Sequence, residues 1–121
     1  MGVAEALRRV YPDVKAVAVE PAESAVMSGG KASSHIIQGI GPGFIPSLVD
    51  MSLIDEVVKV KSSDAVDMTR RLIKDEGLMV GVSSGAKVLA ALEVAQRSGK
   101  GKTIVTILPD RGERYLSMDL F

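Results

Sequence analysis

The chain has 121 residues, 46% of them hydrophobic, which is one domain's length and enough apolar content to bury a core. Fifteen Lys plus Arg balance fifteen Asp plus Glu, and aromatic residues make up only 3%. A neutral chain without a basic stripe or stacking aromatics is a poor binder of nucleic acid or of a membrane surface.

The absence of cysteine removes disulfides, thiolate nucleophiles and thiolate metal sites, and a single histidine argues against a histidine-based zinc site. No run approaches the ~20 apolar residues of a membrane span. The first ten residues carry Glu5 and no apolar signal region, and Ala6 stands where a myristoylation motif wants Ser or Thr. The expected location is the cytoplasm.

In chain order, Val3, Ala6, Leu7 and Val10 share one helical face, and Tyr11-Pro12-Asp13 stops that helix because the residue before proline avoids the α region. Lys15 to Val19 reads as a short buried strand. Residues 20 to 47 show no sustained period, and so long an irregular connection is usually functional or partly helical. "PAESAVM" offers one short helix there. "DEVVKV" reads as the next strand. Ser62 then caps a helix with Ala65, Met68, Thr69, Leu72 and Ile73 on one face, closed by Gly77 in the role that needs positive φ.

"LMVGV" reads as a third strand. "SSGAKVLAALEVAQRSG" follows as a helix with Val88, Leu89, Leu92 and Ala95 at helical spacing. "KTIVTIL" is a β-branched run of the kind buried on both faces of a parallel sheet. Alternating strands and helices imply an α/β fold, three layers αβα around a mostly parallel sheet with right-handed crossovers.

Ligands of such sheets bind at the carboxyl ends of the strands. Two junctions there carry informative residues. In "VGVSSGA", Ser83 and Ser84 turn into a helix whose free N–H groups suit an anion or a ring nitrogen; Ser84 as an ordinary N-cap explains the same residues. In "ILPDRGERYLS", Pro109 ends the strand and Asp110 and Arg111 follow as polar residues, which also fits a solvated turn. His35 opens the apolar glycine loop "HIIQGIGPGFIP", residues 35 to 46, and has no carboxylate partner evident in sequence. Neither G-x-G-x-x-G nor a P-loop is present.

Taken together, "VEPAES", "SGGK", "HIIQGIGPGFIP", "LIDEVVKV", "EGLMVGVSSGA" and "LPDRGERYLS" resemble cysteine synthase (O-acetylserine sulfhydrylase), a fold-type II pyridoxal-phosphate enzyme and close kin of cystathionine β-synthase. The resemblance runs from about Gly2 to Phe121 and implies a single, incomplete C-terminal domain of that fold. It implies a cofactor, pyridoxal 5′-phosphate, with Ser83 on the pyridine nitrogen, and Pro109 and Asp110 in the loop around the pyridine edge. Asp110-Arg111 stand where a small pair is common. A neutral serine hydroxyl does not hold the ring nitrogen protonated as a carboxylate would, which makes the ring a weaker electron sink. Gly39 and Gly41 match the loop beside the cofactor, and Gln38, Gly39, Ile40 and Gly41 match the stretch facing the substrate.

The implied chemistry is β-replacement of the acetate of O-acetylserine by sulfide, giving L-cysteine; cystathionine β-synthase-type replacement is the near alternative. The family's Schiff-base lysine, its "TSGNTG"-type loop and its phosphate cradle have no counterpart in these residues, so the expectation is no catalytic residue here and no activity from the 121 residues alone. Lys31 and His35 match the segment that docks serine acetyltransferase, although Ile36 stands where a lysine is common. A non-catalytic module binding that acetyltransferase or a synthase subunit is therefore a second reading. Apolar surface left without its usual neighbours implies a homodimer or association with a complementary N-terminal part.

Overall fold

A computed structural model describes residues 1–118; the last residues of the resemblance, 119–121, lie outside the described residues. Helix α1 (Gly2–Val10) leads into strand β1 (Val17–Pro21). A long irregular stretch with two short 3-10 turns, Ala22–Ser24 and Met51–Leu53, reaches strand β2 (Glu56–Val60). Helices α2 (Ser62–Glu76) and α3 (Val82–Ser98) follow, and a 3-10 segment, Gly112–Met118, kinks at Tyr115.

β1 and β2 pair in parallel, Val17 opposite Glu56 through Pro21 opposite Val60. Parallel neighbours need a crossover, and here the glycine loop lies within it. Two polar residues hold the crossover down. Glu20, 2% exposed, accepts hydrogen bonds from the Met27 N–H at 2.8 Å, the Ser28 N–H at 3.1 Å and the Ser28 hydroxyl at 2.5 Å, folding the chain back as it leaves β1. Asp55 accepts from the Ala16 N–H at 2.7 Å and from Arg8 at 2.5 Å, tying α1 to the start of the sheet.

The core joins both strands to the two long helices. Val58 and Val60 pack with Ile37, Ala65, Val82 and Ala86. α2 and α3 approach closely because the contact is lined by small residues. A Cβ on Gly85 would stand 2.2 Å from Thr69 Oγ1 and 2.3 Å from the Ala65 carbonyl oxygen. Fully buried Thr69 donates its hydroxyl to that carbonyl at 2.8 Å, the ordinary back-bond of a helical threonine. α2 ends as its sequence predicts: Gly77 takes the left-handed conformation (φ 67°), and the Leu78 N–H returns to the Leu72 carbonyl at 2.9 Å.

Several elements differ from the sequence expectation. Ser62 is the first helical residue of α2, not its cap; its N–H donates to Glu23 Oε1 at 2.8 Å, so a residue distant in sequence caps the helix. "PAESAVM" forms only a 3-10 turn. "LMVGV" contributes a single antiparallel bridge, Val80 with Arg111, and "KTIVTIL" forms no strand. Strand formation requires a partner, and β-branched residues supply a preference for a pleated, half-buried surface without supplying that partner. Val105 is accordingly 81% and Ile107 55% exposed. The predicted apolar face of α1 is uncovered, and α1 buries no residue. On α3 the buried stripe runs through Val82, Gly85, Ala86 and Ala90, while Leu92 is exposed. The accessible surface of 7887 Å² exceeds the roughly 6,300 Å² of a compact monomer of this mass, consistent with apolar faces that await neighbours.

Candidate functional site

The two junctions that sequence reading separates are one place. Past the Val80–Arg111 bridge, the Gly81 N–H donates to the Asp110 carbonyl at 3.3 Å and the Gly112 N–H to the Met79 carbonyl at 2.9 Å. The turn after Pro109 is thereby laid over the start of α3. Gly81 is required there for space. A Cβ at that position would lie 2.5 Å from the Tyr115 ring and 2.7 Å from Asp110 Oδ1.

Within this contact Asp110 takes two hydroxyl donors, Ser83 Oγ on Oδ1 at 3.4 Å and the Tyr115 phenol on Oδ2. Ser83 and Tyr115 are both buried. The hydrogen bond to Asp110 raises the Tyr115 phenol above its ordinary value, burial and the carboxylate's charge add to the rise, and Arg114 opposes it. The phenol is thus held as a neutral donor. Next to Ser83, the hydroxyl of Ser84 is fully buried and has no hydrogen-bond partner among the described residues. Ser84 is not an N-cap: α3 begins at Val82, Gly81 stands at the cap position, and no side chain caps the helix. Pro109, Asp110, Arg111, Glu113 and Arg114 line an open concavity of about 510 Å³.

The glycine loop forms the second group. Gly39, Gly41 and Gly43 all have positive φ, 85°, 59° and 85°, which L side chains rarely adopt. The first two differ in what surrounds them. A Cβ on Gly41 would lie 2.6 Å from the Pro21 ring and 2.8 Å from His35 Nε2, whereas nothing stands within 4 Å of one on Gly39. Gly41 is glycine for packing as well as for φ, and Gly39 faces open space.

His35 closes the loop on itself. Its Nε2 lies 2.8 Å from the Gly41 carbonyl, and the Ile37 N–H donates to its Nδ1 at 3.2 Å. A carbonyl only accepts and an amide only donates, so the proton sits on Nε2. Both ring nitrogens serve the loop, while Lys31 is exposed. Gln38 and Gly39 form the exposed crest, with Ile37 fully buried before them and Ile40 packed against the core after them. A concavity of about 190 Å³ adjoins Ile40 and Gly41 on the side of Glu20 and Phe44.

The sequence-derived residues thus fall into two sets, Ser83 with Pro109 and Asp110, and Gln38 to Gly41 with His35. They share one core, since Ile37 and Ile40 pack in the same cluster as Val82 and Tyr115. Neither concavity includes Ser83. Sequence reasoning missed Tyr115, Glu20 and Glu23. Tyr115 carried a usable signal, as one of only two tyrosines and close behind Asp110 in the charged turn.

Parallel strands backed by helices, a left-handed glycine loop in the crossover and a serine at a helix start define an α/β enzyme scaffold of the fold-type II class. The pyridoxal-phosphate dependent enzyme family matches residues 1–110, and the chain belongs to that family. It is 47% identical over 120 residues to the cysteine synthase of Staphylococcus aureus, which covers 99% of this chain and 39% of that protein. A probable cysteine synthase of Bacillus subtilis matches with the same identity and coverage. Among solved structures, O-acetyl serine sulfhydrylase isoform 3 of Entamoeba histolytica superposes with a TM-score of 0.95 at 51% identity, covering 99% of this chain and 36% of that one. The chain therefore spans about two fifths of the length of the relatives it matches. Among the described residues, no helix is long and apolar enough to cross a membrane.

The residues present fit the ring end of pyridoxal phosphate. Ser83 offers a buried hydroxyl at the start of α3, the Ser84 hydroxyl beside it is unpartnered among the described residues, and Gly39 leaves room for a close approach to the loop's backbone. When bound, the cofactor supplies an electron sink that labilises bonds at the α-carbon of an amino acid.

Proposed function

We propose that this chain forms the ring-nitrogen and glycine-loop side of the pyridoxal-phosphate site in a cysteine synthase, within an incomplete C-terminal domain of that enzyme. The reaction is β-replacement, with sulfide displacing the acetate of O-acetylserine to give L-cysteine. The observation that carries this reading is the 47% identity to a cysteine synthase across 99% of the chain, "QGIG" and "SSGA" segments included.

In this reading Ser83 faces the pyridine nitrogen, with Pro109 and Asp110 at the ring's edge. Gly39 and Gly41 bring backbone close to the cofactor, and Gln38 to Gly41 border the bound amino acid. The open space at Gly39 supports that placement. The lysine that holds the cofactor covalently and the phosphate cradle come from residues outside these 121, so the chain by itself is inactive. The exposed Ile104, Val105 and Ile107 support docking onto such a complementary part. Exposed Lys31 supports a contact with serine acetyltransferase, with His35 shaping the loop from within.

The test supplies the remaining three fifths of the Staphylococcus aureus enzyme as a separate chain, with pyridoxal phosphate, O-acetylserine and sulfide. Cysteine formed by the mixture and by neither chain alone is expected. A mixture that assembles and yields no cysteine counts against the proposal, and so does cysteine from the 121-residue chain alone.

A further inference from the structure

The run "KTIVTIL", residues 102–108, has the composition of a strand and lacks a strand's partner. Among the described residues, no backbone–backbone hydrogen bond involves residues 103–109. Residues 102–107 are all exposed. Val105 is 81% and Ile107 55% exposed, Ile104 only 38%, and Leu108 packs against the cluster of Met68, Leu72 and Val80. The alternation is that of a strand, with Ile104 and Leu108 on the side of the fold and Val105 and Ile107 turned away from it. Residues 103–107 are β-branched throughout, and neither charge nor proline interrupts them before Pro109. A bare edge of that kind is a template for pairing with another chain.

The residues around the run indicate which chain fits. Lys100 and Lys102 precede it, and Asp110 closes it after Pro109. A second copy laid in parallel would set lysine against lysine, and like charges directly opposite destabilise a strand pair. Laid antiparallel, the two copies of Lys102 stand at opposite ends, about 25 Å apart. With Thr106 opposite Thr106 on the twofold axis, Ile104 meets Leu108, Val105 meets Ile107, and Lys102 meets Asp110. Apolar residues then face apolar residues and each lysine faces a carboxylate. Pro109 has no N–H and ends the ladder. We propose that this chain pairs with a second copy of itself through residues 103–108, as an antiparallel strand pair centred on Thr106. The contact is isologous and closes at two copies. It does not depend on the cofactor reading, and a complementary part docked on the same residues would compete with it.

The test is sedimentation equilibrium of the 121-residue chain over a concentration series, together with disulfide trapping. The chain has no cysteine, so Thr106→Cys places a single thiol on the proposed axis. Val10→Cys places one on the exposed face of α1 as a control. A monomer–dimer equilibrium is expected. Oxidised glutathione should trap the Thr106→Cys dimer about tenfold or more faster than the Val10→Cys dimer. Thr106→Lys sets two ammonium groups opposite each other and should weaken the dimer by about fivefold. Thr106 is exposed, so neither substitution there removes a core contact. A chain that stays monomeric overturns the proposal, as does a dimer that traps Val10→Cys as fast as Thr106→Cys. A dimer that Thr106→Lys leaves unchanged overturns it too, and so does association that continues past two copies.

Discussion

The carboxylate of Glu23 caps helix α2 at Ser62, 39 residues further along the chain, with the Ser62 N–H 2.8 Å from Glu23 Oε1. The contact joins the crossover to the helix at a point where the positive end of the helix dipole favours an anion. Burial pulls the Glu23 carboxyl upward, but the Ser62 and Glu23 amides and the Ser62 hydroxyl outweigh it, and the net shift is downward. A lowered carboxyl stabilises the fold above its unfolded value, near 4.5, and loses that contribution as pH falls through the folded value. Because Glu23 is exposed, solvent screens the interaction, and Glu23→Gln should cost only about 0.5 kcal/mol, the low end for a lost cap. Urea unfolding of both proteins at neutral and acid pH checks this. The difference should shrink as the pH is lowered.

The crossing of α2 and α3 makes a larger claim. Gly85→Ala places a methyl 2.2 Å from Thr69 Oγ1, an atom already committed to the Ala65 carbonyl. Backbone has to move, and the expected loss is about 3 kcal/mol, the upper part of the usual range for overpacking. Gly77→Ala meets nothing within 4 Å and costs only left-handed strain, about 1 kcal/mol. Denaturant midpoints should rank the two in that order.

Gly39 and Gly41 should separate in a similar way. Gly41→Ala drives a methyl against the Pro21 ring and His35 Nε2, so it should disturb the loop in the free chain. The readout is the His35 ring resonances, whose two hydrogen bonds belong to the loop. Gly39→Ala carries strain without a clash and should leave those resonances nearly unchanged.

Tyr115 is raised above an ordinary phenol, chiefly by its hydrogen bond to Asp110. A raised phenol stabilises the fold below the unfolded value of about 10 and loses that contribution as pH rises through the folded one. Ultraviolet titration should show its ionisation delayed to high pH. Asp110→Asn should bring it back toward the ordinary value, and Tyr115→Phe should remove the delayed component.

Local elements were legible in the sequence wherever the chain itself supplies their cause. The bounds of α2 and α3 follow from apolar spacing, Gly77 and Gly99, and "DEVVKV" places β2 almost to the residue. β1 lies two residues later than predicted, at Val17–Pro21, because pairing with β2 sets its limits. "KTIVTIL" misled because a strand depends on a neighbour that a run of β-branched residues does not reveal. The candidate site was legible as residue types and not as geometry. Ser83 and Asp110 stood in two separate junctions, and their contact across 27 residues depends on the room left at Gly81. The Glu23 cap was invisible for the same reason, being a tertiary contact between an irregular turn and a distant helix.

The role proposed for these residues is the ring-nitrogen side of a cysteine synthase. The most direct measurement joins them to the rest of such an enzyme, by replacing the matching 120-residue segment of the Staphylococcus aureus synthase with this chain and measuring cysteine from O-acetylserine and sulfide. A folded chimera that makes cysteine is expected, with that activity lost on Ser83→Ala. A folded chimera that binds pyridoxal phosphate and makes no cysteine would contradict it.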